Sequence, residues 1–245
     1  VVKDRIRSLL GTAGGLALLP LSAVPLLLIG PALLHSHTRF QRAYGSGPYP
    51  APAVLVTPRM ATRWMPPAPY RGAIPVLAYH GIDDANDGYS VSREEFARQM
   101  EMLDRSGFRT ITIGQYVRFR SGDGRGLPPR PILITFDDGR LDSYRGADAV
   151  LEQHHMSAVM YVITAPVKAG NPFHLSWREL HRMQRSGRWD IQPHAHDGHR
   201  RIVVDPAGDT EPFYAARRYT RTDGVESFAA YTQRVATDIY DVKDD

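Results

Sequence analysis

Downstream of residue 72 the sequence predicts an α/β fold with mainly parallel strands. Three observations carry this. Short apolar or β-branched runs alternate with segments of helical periodicity, serines stand where helices should begin, and acids or histidines follow the ends of the apolar runs. Val76 to Tyr79 reads as a short buried strand. Ser92 to Arg105 reads as a helix, with Ser92 as N-cap, Glu95 three residues on, and Phe96, Met100 and Leu103 on the face toward the sheet. Thr110 to Ile113 is a β-branched strand before a helix that begins near Gly114, and the Gly- and Pro-rich loop Ser121 to Arg130 leads into a strand from Ile132 to Thr135. A helix from Ala147 to His154, a strand from Ala158 to Ile163 and a helix from Ser176 to Ser186, with Glu179 at the capping-box spacing, come next. A strand ending at Ile191 and a helix from Val225 to Tyr240 complete the alternation.

The first 71 residues read differently. Residues 1–8 form a short basic segment, and no Asp, Glu, Lys or Arg occurs from Ser8 to Ser36. Residues 9–34 are long and apolar enough for a transmembrane or signal-anchor helix, for which roughly 20 apolar residues suffice. Pro20, Pro25 and Pro31 sit more easily in a membrane helix than in a soluble one. Basic residues on both sides leave its orientation unsignalled. The seven prolines among residues 44–72 mark 35–71 as an extended linker, and the domain is expected to occupy 72–245. Beginning at Val1 rather than Met, and stopping after a helix that ought to feed another strand, the sequence is expected to be part of a longer product.

With 245 residues, 42% of them apolar, the chain can bury one sizeable core. Its formal charge of +4 comes from scattered arginines with no basic run, which gives nucleic-acid binding no support. There is no cysteine, so any metal must rest on His, Asp and Glu.

Those ligands occur in two clusters. Ile132-Leu133-Ile134-Thr135-Phe136 runs into Asp137-Asp138-Gly139, and about fifty-five residues later a second strand-like segment, Trp189 to Gln192, precedes His194-Ala195-His196-Asp197-Gly198-His199. Alone, paired aspartates before glycine read as a solvated turn. Each cluster following a strand, the two together offer carboxylate and imidazole ligands for one metal ion, a set that suits Zn²⁺ and related first-row ions. His196 stands as a rival ligand, and Asp197 either orients a histidine or makes a turn. His154, His155, His174 and His181 read as surface residues, and Trp177 as core or as a sugar-stacking side chain.

Several segments resemble the polysaccharide deacetylases of the NodB-homology group, carbohydrate esterase family 4. Pro75-Val76-Leu77-Ala78-Tyr79-His80-Gly81-Ile82 is similar to the family's "YH" strand, Thr135-Phe136-Asp137-Asp138-Gly139 to its first catalytic motif, and His194 with His199 to its second. Ala195 departs from the Ser or Thr common there, and no Arg-x-x-x-Pro-Tyr-like motif follows. The resemblance implies a distorted, incomplete (β/α) barrel. It also implies a divalent metal, Zn first with Co, Ni or Mn as alternatives, on Asp138, His194 and His199, with Asp137 as general base. His80 is the candidate general acid if the "YH" strand is the family's last strand moved to the front; a hydrogen-bonded strand-end histidine is the other reading, and His194 or a residue beyond Asp245 could serve instead. The implied function is removal of N-acetyl groups from an N-acetylglucosamine-containing polysaccharide by a membrane-anchored protein with its domain outside the cytoplasm. Peptidoglycan, chitin-like and β-1,6-linked substrates stay open. So do a non-catalytic, membrane-anchored glycan-binding module and hydrolysis of another amide or ester.

Overall fold

The sheet is built outward from its most buried strand. In the computed structural model, which describes residues 47–57, 72–85 and 87–245, the first elements are β1 (Val76–Tyr79), β2 (Gly81–Ile82), β3 (Ser90–Val91), α1 (Arg93–Arg105), β4 (Arg109–Thr110) and α2 (Ile113–Arg120). Then come β5 (Pro131–Phe136), α3 (Leu141–Gln153), β6 (Ala158–Ile163), α4 (Thr164–Lys168), α5 (Trp177–Arg185) and β7 (Trp189–Ala195). The remainder is β8 (Arg201–Val203), β9 (Thr210–Pro212), β10 (Tyr219–Thr220), β11 (Gly224–Val225) and α6 (Phe228–Asp244). All six residues of β5 are buried. Such a continuous apolar run belongs to a strand covered on both faces.

Parallel pairing runs β1–β5–β6–β7. Ile111 N donates to Ile132 O while Leu133 N donates to Pro75 O. Successive residues of a strand point their polar groups to opposite edges, so β4 and β1 flank β5 on opposite sides. Among the described residues no ladder joins β7 back to β1, and the sheet is open. One face carries the aromatic group Tyr79, Phe96, Phe136 and Trp189, with successive ring centroids 5.1 to 5.8 Å apart. The other face buries Ile111, Leu133 and Val159.

Side-chain caps mark the starts of α1, α2, α5 and α6. Ser176 and Glu179 close a full capping box on α5, as their spacing predicts. At α1 Ser92 caps Glu95 N, but Glu95 turns its carboxylate to Arg98 and Gln99. Four elements differ from expectation: β7 runs past Ile191 to Ala195, the helix expected from Val225 starts at Phe228 behind its Ser227 cap and leaves Val225 in β11, and two more differ earlier in the chain. The strand predicted at Thr110 to Ile113 stops at Thr110, because Thr112 and Gln115 form a capping box that takes Ile113 into α2. Helix α3 begins six residues before Ala147, at Leu141, packing Gly146 onto Ile82. The two antiparallel hairpins, β8–β9 and β10–β11, had no strong alternating pattern to announce them.

The expected membrane helix at 9–34 lies outside the described residues, as does most of the linker. Among the described residues no helix is long and apolar enough to cross a membrane. Residues 47–57 carry no regular secondary structure, in keeping with their prolines, yet they touch the domain. Tyr49 N donates to Arg145 O (2.7 Å), the Arg93 and Arg145 guanidinium groups lie 4.6 and 4.4 Å from the Tyr49 ring centroid, and Val56 is buried.

A Cβ at Gly146 would collide with the Ile82 carbonyl oxygen and side chain. Gly146→Ala should therefore destabilise the domain by up to about 2 kcal/mol, since overpacking costs about 1–3 kcal/mol and the gain in helix propensity returns about 1. Chemical denaturation checks this; a stabilised variant would show that α3 can move away from β2.

Candidate functional site

The register of the central ladder delivers the acids. Tyr79 on β1 is level with Phe136 on β5, so His80 and Asp137 leave adjacent strands side by side. Asp137 N donates to Tyr79 O (2.9 Å), and His80 Nε2 lies 4.0 Å from Asp137 Oδ2. Ser143 Oγ, on α3, donates to the His80 carbonyl. One residue on, the backbone turns sharply. Asp138 has φ 72° and Gly139 φ 67°, a left-handed conformation that is costly for any residue with a Cβ. A Cβ at Gly139 would also lie 3.1 Å from Val162 Cγ1 and 3.4 Å from its Cα. The turn carries Asp138 inward, where its Oδ1 is buried with no hydrogen-bond partner.

His194 arrives by a different device. On β7 the register against β6 passes from Val162↔Pro193 to Ile163↔Ala195, so His194 is the extra residue of a bulge. A bulge re-aims the side chain at an irregular position. Sequence reading places His194 after the strand; it lies within β7. Its Nε2 is 3.7 Å from Asp138 Oδ1, and His199 Nε2 is 3.6 Å from the same oxygen. The two rings are 4.9 Å apart between centroids. Asp138, His194 and His199 each place one ligand atom within 4.8 Å of the others. Neither separation from Asp138 is a hydrogen bond.

Burial lowers the His194 pKa, against the pull of Asp137 and Asp138, and the neighbouring His199 and His80 push it in the same downward direction. The imidazole therefore stays neutral at neutral pH, the form that ligates metals. A buried carboxylate oxygen without a donor, facing two imidazole nitrogens at these distances, fits a bound cation. Zn–O and Zn–N bonds of about 2.0–2.2 Å place tetrahedral ligand atoms about 3.4 Å apart.

His196 does not join the group. Its Nδ1 meets Thr164 Oγ1 (3.0 Å) and Asp245 Oδ2 (2.9 Å). Asp197 accepts from Arg200 Nε (2.7 Å) rather than from a histidine. Two histidines expected at the surface are not there. His154 is buried between Glu101 and Asp104, and half-buried His174 leaves Nδ1 without a partner, burial lowering its pKa against the pull of Asp138. Trp177 lies on α5 beside Leu180 and Pro193, lining a cavity of about 230 Å³.

Two supports escaped sequence reading. Arg140 reaches Asp142 (2.6 Å), Asp87 (3.3 Å) and Ser90 (3.2 Å), tying the turn after Asp138 to the loop that precedes α1. Burial opposes the charge of Asp87, but the Tyr89 and Ser90 amides, the Ser90 hydroxyl and Arg140 together hold its pKa at about 2. The second is Asp238, whose carboxylate accepts from the His196 and Asp197 amides (3.1 and 2.7 Å). A signal existed for it: Asp238 shares a helical face with Val235 and Val242.

The family model of polysaccharide deacetylases matches residues 124–235. A poly-β-1,6-N-acetyl-D-glucosamine N-deacetylase of Staphylococcus epidermidis is 32% identical over 115 residues, 45% of this chain and 39% of that protein. The chain thus spans well under half the length of that curated relative. Among solved structures, a de-N-acetylase from Aggregatibacter actinomycetemcomitans shares the fold (TM-score 0.63, 20% identity, 70% of this chain and 72% of that one). The BpsB deacetylase domain from Bordetella bronchiseptica aligns with a TM-score of 0.57 and 26% identity over 70% of this chain and 75% of that one. Asp137, Asp138, His194 and His199 fall inside the matched stretch, so the part of the chain that is similar to polysaccharide deacetylases is the part that carries the candidate site.

Proposed function

We propose that this protein is a metal-dependent N-deacetylase acting on an N-acetylglucosamine-containing polysaccharide. The observation that carries the reading is the buried, unpartnered Asp138 Oδ1 facing His194 and His199, with a second carboxylate, Asp137, beside it and outside the three-residue group. A divalent cation held by Asp138, His194 and His199, Zn²⁺ being the best fit to the donor set, would supply Lewis acidity toward the amide carbonyl and toward water. Asp137 accepts the proton of the attacking water as general base. As the C–N bond breaks, His80 gives a proton to the leaving amine, and acetate and the free amino sugar are released. His80 and Asp137 stand close enough for the two proton transfers to serve one bound acetamide. The poly-β-1,6-N-acetylglucosamine deacetylases among the relatives favour a β-1,6-linked substrate. A substrate of that kind supports a domain working outside the cytoplasm, and the apolar sequence of residues 9–34 is the segment we propose as its anchor.

Asp138→Ala, His194→Ala and His199→Ala should each abolish binding of one equivalent of Zn²⁺ by isothermal titration. Asp137→Asn should retain the metal and lose activity by about 10²–10⁴-fold, the range for a general base, measured as acetate released from N-acetylglucosamine oligomers. Zinc-replete protein that binds no metal would end this reading. Full activity in Asp137→Asn would remove the base.

A pH dependence follows from burial. His194 and His174 both have folded-state pKa values below 6.5, so as pH falls the unfolded chain takes up protons first and stability is lost. The unfolding temperature of the metal-free protein should fall as pH drops below about 6.5, and His174→Gln should flatten the slope. An unchanged slope in that variant would show that His174 titrates normally.

A further inference from the structure

We propose that Asp238 is the positioning residue for the loop that carries His199, setting how tightly the metal is held. The inference rests on the metal-site reading above. His199 is half exposed, and its ring neighbour is His194, so its place depends on the backbone between the two histidines. Little within that loop can fix it. Ala195 has no polar side chain, Gly198 has none at all, the His196 ring is engaged with Thr164 and Asp245, and the Asp197 carboxylate is engaged with Arg200. The loop is held from outside. Asp238, 5% exposed on α6, accepts the Asp197 amide on Oδ1 and the His196 amide on Oδ2. Tyr214 donates its hydroxyl to the same Oδ2.

These three donors are uncharged, so the carboxylate is spent on holding backbone rather than on an ion pair with them. The surroundings leave it little freedom. A Cβ at Gly198 would run into the Tyr214 hydroxyl and come within 2.8 Å of Asp238 Oδ2, so the loop, the tyrosine and the carboxylate are in close contact. Tyr214 is held in turn by Tyr231, whose hydroxyl donates to the Tyr214 carbonyl (2.6 Å). One turn before Asp238, Arg234 donates to the carbonyls of Phe213 (2.9 Å) and Ala216 (3.0 Å) and pairs with Glu226 (2.8 Å). The helix thus grips both the metal-ligand loop and the segment that braces it. Outer partners of this kind are worth about 10–100-fold in metal affinity.

The test uses the whole chain. Zn²⁺ affinity is measured by chelator competition for wild type, Asp238→Ala, Asp238→Asn and Asp138→Ala, with amide hydrogen exchange at His196 and Asp197 in the metal-free state. Both Asp238 variants should bind Zn²⁺ about 10–100-fold more weakly, with Asn the milder because it keeps one acceptor oxygen. The two amides should exchange at least about 10-fold faster, and kcat should fall more than KM rises. Asn preserves the shape of the side chain and serves if Ala does not fold. Wild-type Zn²⁺ affinity in a folded Asp238→Asn with faster-exchanging amides would overturn the proposal while leaving the metal site intact. If wild type and Asp138→Ala bind Zn²⁺ alike, the metal-site reading itself has failed, and this proposal falls with it.

Discussion

Strand β5 is buried at every residue and paired along both edges, so its neighbours dictate the level at which it ends. A strand in that position cannot slip. A shift of one residue would exchange Phe136 for Thr135 on the aromatic face and turn both acids to the wrong side. The aromatic contacts Tyr79–Phe136, Phe96–Phe136 and Phe136–Trp189 lock that register from one face, and Leu133 against Ile111 and Val159 locks it from the other. Everything at the site is placed relative to this end. His80 arrives because β1 ends at the same level, and His194 because β7 reaches the same end of the sheet through β6.

Residues tied to strong local rules are legible in the sequence alone. Ile132 to Phe136 could only be a covered strand, and Ser176 with Glu179 announces a helix start whatever follows. Asp137 and Asp138 are legible as a site only beside the second cluster, because alone they read as a turn. What stays hidden is long-range or rests on a single backbone irregularity. The bulge that singles out His194 is a matter of register between two strands, which one strand's sequence does not encode. His154 looks like a frayed helix end, yet it is buried because α1 brings Glu101 and Asp104 to it. Asp238 acts on residues some forty positions away. His80 and Asp238 also lie outside the stretch that the family model matches, so their places rest on geometry.

The arginines show how composition can mislead when read as a patch. Scattered through the sequence, several of them are used one at a time within the fold. Arg140 fastens the turn after the paired acids to the loop before α1, Arg188 reaches Asp148 and Glu152, and Arg234 bridges Glu226 and two carbonyls. Surface ion pairs contribute at most about 1 kcal/mol. Pairs at this depth fix orientation more than they add stability, since desolvation offsets much of the attraction. Arg140 is the clearest case, because the segment it orients follows Asp138 directly.

A binding module and a hydrolase place different demands on this site. A module that only presented a surface would gain from relieving the left-handed Asp138, which costs on the order of 1–3 kcal/mol, and from pairing its buried oxygen, which costs about 1–3 kcal/mol more. Both are met at one residue, in a domain whose total stability is of the order of 5–15 kcal/mol. A cation between Asp138, His194 and His199 would relieve the second cost and give the first a purpose. It would leave Asp137 unexplained, since three ligands suffice to hold zinc with a position open. A free carboxylate next to such an ion, with an imidazole 4.0 Å away, is what proton transfer at a reacting amide requires and what binding alone does not.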